Sequence, residues 1–219
     1  MGKVTIFIES DGWYNTLHFI WKAIRAQLPH TAHTYCLFAD RNMSAALIHR
    51  PQWEEYTSKV ITNQKEMESI HFGRLKLTPW RKWLEAGSRV IVLFRNTVPV
   101  AFGWIHFRSH TIQSVGTFNM ETNIAWLGPS FVHINHRGKG LQQLVIQQCI
   151  NNTPHQIDAF ITSVNTGNVA SLHSFEKCGF KKGLEVSCTS RKFTPPPYKK
   201  CVNIKALDSQ AYKYLKLHQ

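Results

Sequence analysis

The chain has 219 residues and a formal net charge of +13, with 26 lysines and arginines against 13 acidic residues. That length buries one substantial core, the 43% hydrophobic content suits a soluble globular protein, and no apolar run approaches the ~20 residues of a membrane span. The positive balance favours anionic partners, but the basic residues fall in short clusters such as Lys181-Lys182 and Lys199-Lys200, which is a solvated basic surface and no nucleic-acid stripe.

Residues 3–9 (Lys-Val-Thr-Ile-Phe-Ile-Glu) read as a short strand closed by Ser10, Asp11 and Gly12. Trp13, Leu17, Ile20, Trp21, Ile24 and Leu28 then recur at helical spacing up to Pro29. Tyr35–Phe38 reads as another strand, and the segment 44–70 as mixed, with a helix around 53–62. Trp80, Trp83 and Leu84 mark a helix that stops near Gly87. Arg89–Arg95 and Val98–Phe107 are β-branched and aromatic runs around Asn96-Thr97, the pattern of an antiparallel hairpin. Ile124–Ile134 is the predicted central strand, followed by a helix with Leu141, Leu144, Val145 and Cys149 on one face. Ile157–Val164 is a further strand, and Leu184–Lys192 and Lys200–Leu207 are expected to pair across the Thr-Pro-Pro-Pro loop at 194–197.

The N-terminus lacks a signal-peptide apolar region and misses the myristoylation pattern, since Ile6 stands where Ser or Thr is required. The five cysteines are odd in number and contain no Cys-x-x-Cys, which predicts reduced, mostly buried thiols in a cytoplasm-like compartment. His30/His33 and His133/His136 have i, i+3 spacing, but no Cys or carboxylate completes a set, so no metal is expected.

Two motifs carry chemistry. Arg137-Gly138-Lys139-Gly140-Leu141 lies between the apolar run 126–134 and the helix beginning at Leu141. Glycines let a backbone approach a ligand closely, and the first N–H groups of the helix point outward with the positive end of its dipole, so the segment is an anion cradle suited to a diphosphate. The spacing is neither that of a Walker loop nor Gly-x-Gly-x-x-Gly, because Gln143 replaces the third glycine. The second motif runs from Asn168 to Phe180: Asn168 can cap a helix, Val169, Leu172 and Phe175 give it a buried side, and Gly179 ends it.

Together these motifs resemble the GNAT superfamily of acyl-CoA-dependent N-acetyltransferases. The family's pyrophosphate motif, Gln/Arg-x-x-Gly-x-Gly/Ala, is similar to Arg137-Gly-Lys-Gly140-Leu-Gln142, with Gln in place of the last small residue. Its later motif, Asn followed after a helix by Gly-Phe, is similar to Asn168 through Gly179-Phe180. The resemblance covers roughly residues 88–192 and implies an α/β fold whose mixed, mostly antiparallel sheet is flanked by helices. Residues 1–219 are expected to form one such domain, with 88–192 as the acyl-CoA-binding core and 1–70 as an N-terminal strand and helix region.

The resemblance further implies acetyl-CoA as cosubstrate. Ser130, Phe131 and Val132 would pair with the pantetheine arm, and Arg137, Gly138, Lys139, Gly140, Leu141, Gln142 and Gln143 would hold the pyrophosphate. Asn168 would reach the arm, and Phe175 would lie beside the sulfur. The acid that relatives often carry, a Tyr seven residues after the Asn, is Phe175 here, and the glutamate five residues before it is Ser163. Proton transfer therefore needs other groups: Glu121 as base, then His133 and His106, with Tyr198 as a possible donor to the thiolate. The implied activity is acetyl transfer to a primary amine of a small molecule, amino sugar or peptide. The missing Tyr and Glu leave open an acyl-CoA-binding sensor without catalysis.

Overall fold

A computed structural model describes residue 17 and residues 30–44, 50–112, 116–190 and 201–208. The predicted strand 3–9, the helix 13–28 apart from Leu17, the 194–197 loop and Tyr198 lie outside the described residues. The elements run β1 (His30–Asp40), α1 (Arg41–Ser44), β2 (Tyr56–Ile61), α2 (Gln64–Glu68), α3 (Gly73–Lys76), α4 (Trp80–Glu85), β3 (Arg89–Arg95) and β4 (Val98–His106). They continue with β5 (Ser109–Ile112), β6 (Gly116–Asn119), β7 (Ile124–Val132), α5 (Leu141–Asn151), β8 (Ala159–Asn165), α6 (Val169–Lys177), β9 (Lys181–Ser190) and β10 (Cys201–Ala206).

Eight strands form one sheet in the order β10-β9-β1-β8-β7-β4-β3-β2. Every pairing is antiparallel except β7 with β8. The sheet is therefore mixed and mostly antiparallel, as the resemblance implied. The β3–β4 hairpin turns at Asn96, whose φ of 56° is one that Asn tolerates better than most residues. β9 and β10 pair across the late loop as expected.

The helix expected around 53–62 is a strand. Pro51–Trp53 makes one 3-10 turn that buries Trp53, and β2 then pairs with β3 along its whole length. Trp53, Tyr56 and Val60 mimic helical spacing, but Thr57, Val60 and Ile61 are β-branched and gain more from the sheet edge. β1 is far longer than Tyr35–Phe38 and sits between β8 and β9, with Cys36 to Ala39 at most 1% exposed. The N-terminal region thus contributes a strand to the centre of the sheet.

Three apolar clusters cover the two faces. α5 and α6 pack on one face through Leu141, Leu144, Val145, Cys149, Leu172 and Phe175. On the other face, residues 61–84 cover β3 and β4, while Phe118 of the β5–β6 hairpin joins the cluster around Trp126. The approach of α5 is tightest at Gly103 of β4, where an added Cβ would stand 2.4 Å from Val145 Cγ1 and 3.1 Å from Cys149 Sγ. Helix or strand must move to admit it, so Gly103→Ala is expected to destabilise the protein by about 1–3 kcal/mol, read by chemical denaturation. A neutral effect would mean that α5 is not held against β4 at this point.

Candidate functional site

β7 and β8 pair only from Ile124 to Trp126, opposite Ala159 to Ile161. Beyond that the strands part. On its other edge, β7 pairs with β4 through Leu127 and then from Ser130, so Gly128 and Pro129 together oppose Trp104 alone. This is a β-bulge, which bends the strand. Two side chains hold its start: Thr162 Oγ1 donates to Leu127 C=O at 2.6 Å, and His106 Nε2 donates to Gly128 C=O at 2.9 Å. The bulge steers β7 away from β8 and opens a gap in the sheet.

The backbone on either side of that gap is fixed by register. His133 N–H donates to Val100 C=O at 2.8 Å, so residues 131 and 133 turn their backbone toward β4. Period-two alternation then turns Ser130 and Val132 toward the gap, and Val132 C=O there accepts from Arg137 Nε at 3.1 Å. Of the predicted trio, Ser130 and Val132 present free-edge backbone geometry to the gap. Phe131 contributes its ring, which packs on Phe72 and Phe102.

A cavity of about 570 Å³ fills the gap, lined by Ser130 to Val132, by His136 to Gly138 and Gly140 to Gln142, by Asn168, Ala170, Ser171 and Ser174, and by Arg74. The glycine turn forms its end. Gly138 and Gly140 have φ of 79° and 73°, and Gly140 is the residue before α5 with no side-chain cap. The first intrahelical acceptor, Gly140 C=O, takes the amide of Gln143 at 3.0 Å, so Leu141 and Gln142 precede the helical bonds and offer their N–H groups outward.

The turn is braced from behind. Trp53 Nε1 donates to Lys139 C=O at 3.1 Å, and Arg50 Nη2 donates to Gln143 Oε1 at 2.9 Å. Gln143 is buried and Lys139 contributes its carbonyl to the brace, so of the predicted turn residues these two support the cradle and do not line the cavity. Gln142, the departure from the family's small residue, reaches across the gap. Its Nε2 donates to Ser130 Oγ at 2.8 Å and to Ser171 Oγ at 3.4 Å.

Asn168 lines the cavity and also caps α6, its Oδ1 accepting from Ser171 N–H at 3.3 Å. Asn168→Ala is expected to lose about 1 kcal/mol of stability from the cap alone. A melting curve unchanged by the substitution would show that the cap is dispensable. Phe175 does not line the cavity: it is buried on the inner side of α6, its ring 5.0 Å from that of Phe180. Ser171 and Ser174 line the cavity from this helix instead.

The proton carriers named from sequence are dispersed. Glu121 is exposed in the turn before β7, at the opposite end of that strand from the glycine turn. His133 is half-buried outside the cavity lining, with Nδ1 accepting from Asn135 N–H at 3.3 Å. Ser163 lies in β8 opposite Cys36. His106 is buried with both nitrogens engaged, Nδ1 accepting from the Ser88 hydroxyl at 2.8 Å. Burial, with the neighbouring His110, pushes its pKa down to about 3, so it stays neutral and takes no proton at ordinary pH.

His136 was not singled out from sequence as a proton carrier, yet it lines the cavity. Its Nδ1 lies 3.3 Å from the Tyr56 hydroxyl. Burial and the nearby Lys139, His133 and Arg95 lower its pKa, so it is neutral at pH 7. Arg74 is a second unforeseen lining residue, its guanidinium 5.0 Å from the centre of the Phe131 ring. Burial pushes the thiols of Cys36 and Cys178 up to about 12 and raises that of Cys149, so none of the three is a ready nucleophile. Among the described residues no group of three His, Cys, Asp or Glu side chains could hold a metal ion.

No curated protein matches the chain. Solved structures share its fold. A GNAT-family protein from Novosphingobium aromaticivorans aligns at 15% identity over 73% of this chain and 64% of its own, with a TM-score of 0.51. A conserved protein of unknown function from Staphylococcus epidermidis aligns at 8% identity over 77% and 65%, TM-score 0.52. A tandem GNAT protein from the clavulanic acid biosynthesis pathway aligns at 12% identity over 82% and 59%, TM-score 0.52. The chain spans less than two thirds of the length of each of these structures. The family model for acetyltransferases of the GNAT type matches residues 47–180, from the brace at Arg50 through the glycine turn to Phe180, and the chain belongs to that family.

Proposed function

We propose that this chain transfers an acyl group, acetyl in the first instance, from acyl-CoA to a primary amine. The observation that carries the reading is the cavity itself: a gap between parting strands, with strand backbone along one side and a glycine-rich helix start at its end. The amides of Gly138 to Gln142 and the Arg137 guanidinium would hold the diphosphate. Ser130 and Val132 would bond the pantetheine arm as a neighbouring strand does. Acyl-CoA supplies the activated thioester, and the amine must reach it unprotonated.

Among the described lining residues, His136 is the only imidazole, and it stands at the turn, at the diphosphate end. The hydroxyls and amide of Ser130, Gln142 and Ser171 form a chain that can hold a water between strand and helix. Proton removal through water, with no strong base, makes the rate follow the free-amine fraction. With an acceptor whose pKa exceeds 9, log(kcat/KM) is expected to rise by about one per pH unit between pH 7 and 9. A plateau across that range would require a protein base and would overturn the water route. Glu121→Gln is expected to leave the profile unchanged.

The direct test is thiol release from acetyl-CoA with a panel of amines, alongside calorimetry with CoA. Absence of CoA binding would overturn the reading. Tight CoA binding without transfer to any amine would favour the sensor reading, which is supported by the lack of any carboxylate or phenol among the described lining residues.

A further inference from the structure

One side chain crosses the gap. Gln142, the second residue of α5, is half-buried and lines the cavity. Its Nε2 donates to Ser130 Oγ of β7 at 2.8 Å and to Ser171 Oγ of α6 at 3.4 Å. A single amide thus ties together three elements that bound the cavity. The neighbouring Gln143 behaves otherwise: it is buried, and its Oε1 is held by Arg50 behind the turn. Gln142 is anchored at its tip, by two neutral hydrogen bonds of which the second is long.

Resting on the acyltransferase reading, an acyl-CoA whose diphosphate sits on the turn sends its pantetheine arm along the Ser130–Val132 edge of β7. The opposite side of that path is α6, through Asn168, Ser171 and Ser174. The arm therefore passes between Ser130 and Ser171. One nitrogen within hydrogen-bond reach of both hydroxyls leaves the two oxygens no more than roughly 6 Å apart. A methylene chain in contact with an oxygen on each side needs roughly 7 Å, and the amide already occupies the interval. The arm and the Gln142 bridge exclude one another.

We propose that Gln142 is a latch on the cofactor gap: its side chain closes the passage between β7 and α6 in the free chain, and acyl-CoA binds by displacing it. The move is confined to the side chain. The backbone amide of Gln142 stays with the diphosphate, while rotation about its χ angles withdraws the tip, at the loss of two hydrogen bonds. The Ser130 and Ser171 hydroxyls that it releases are then available to the amides of the arm, as donors or acceptors. The latch makes cofactor entry slower and weaker than the open gap allows.

The test compares the full chain with Gln142→Ala, which has no tip to bridge the gap, and with Gln142→Asn, whose amide is one methylene shorter. The probes are CoA, which has the arm, and ADP, which carries a diphosphate and no arm. Both variants are expected to bind CoA about tenfold more tightly by calorimetry, the factor that one net hydrogen bond represents, and to associate with it faster in stopped flow. Their affinity for ADP should match that of the wild type. CoA affinity that is unchanged or lowered in both variants overturns the inference, because the bridge then lies off the path or itself bonds the arm. An equal gain for ADP and CoA also overturns it, by placing the effect at the diphosphate. If neither the wild type nor the variants bind CoA, the acyltransferase reading falls and this inference with it.

Discussion

Replacing Gly140 by valine is expected to cut the affinity for CoA by about a hundredfold or more, several kcal/mol, in a protein that still folds. Two facts of the turn produce this. The φ of 73° at Gly140 lies in the left-handed region, where a β-branched residue is strained by at least ~1–2 kcal/mol. A Cβ there would also stand 3.1 Å from the Arg50 guanidinium, which is held by Gln143 Oε1 and stacks on Trp53 at 5.6 Å. Valine must therefore displace the brace or rotate the turn. Either change misaims the amides of Leu141 and Gln142, and charge-assisted bonds to a diphosphate depend on that aim. Chemical denaturation reports the strain, and calorimetry with CoA reports the aim. Unchanged affinity in a folded Gly140→Val protein would show that the diphosphate lies elsewhere. Arg50→Ala separates the two contributions, since it removes the brace and leaves φ alone.

The sequence made the cradle legible because glycine spacing and a following amphipathic helix are local signals. The β3–β4 hairpin and α5 were legible for the same reason. What it could not show was assembled across distance. Arg50 and Trp53 brace the turn from some 90 positions upstream, and nothing in their local pattern marks them; Trp53 instead suggested a helix that does not exist. Arg74 reaches the cavity only because residues 61–84 fold over β3 and β4 and Phe131 turns to that face. Phe175 is expected beside the sulfur from motif spacing, whereas its ring is buried against Phe180, and Ser171 and Ser174 line the cavity. The β5–β6 hairpin escaped notice because four-residue strands leave almost no periodic signal. Its position places His110 on Trp126 and beside His106, and an acid sensitivity follows from that contact.

Stability is expected to fall steeply as pH is lowered from 6.5 toward 4.5, before most carboxylates protonate. His106 and His110 lie with ring centres 4.6 Å apart, among Trp83, Trp104 and Trp126. Burial pushes the pKa of His106 down to about 3, with the neighbouring His110 adding to the shift, and burial lowers that of His110 to about 4. In the unfolded chain both titrate near 6.5. Depressed native values mean that the folded protein excludes protons the unfolded chain accepts, so their stabilising contribution is intact above about 6.5 and is lost as pH falls below it. The slope is about 1.4 kcal/mol per pH unit for each histidine, so two units of acidification remove an amount comparable to the whole stability of a marginal domain. Hydrogen bonding adds to the asymmetry. The neutral His106 ring accepts from Ser88 and donates to Gly128, and a protonated Nδ1 could no longer accept that hydroxyl. His110→Phe tests the account, because Phe keeps an aromatic ring against Trp126 and removes a buried Nδ1 that has no hydrogen-bond partner among the described residues. The variant should match or exceed the wild type at pH 7 and lose stability about half as steeply in acid. Urea midpoints measured from pH 7.5 to 4.5 for both proteins decide it. A wild-type midpoint that stays flat to pH 5 would mean that these histidines are reached by solvent and titrate normally in the native state.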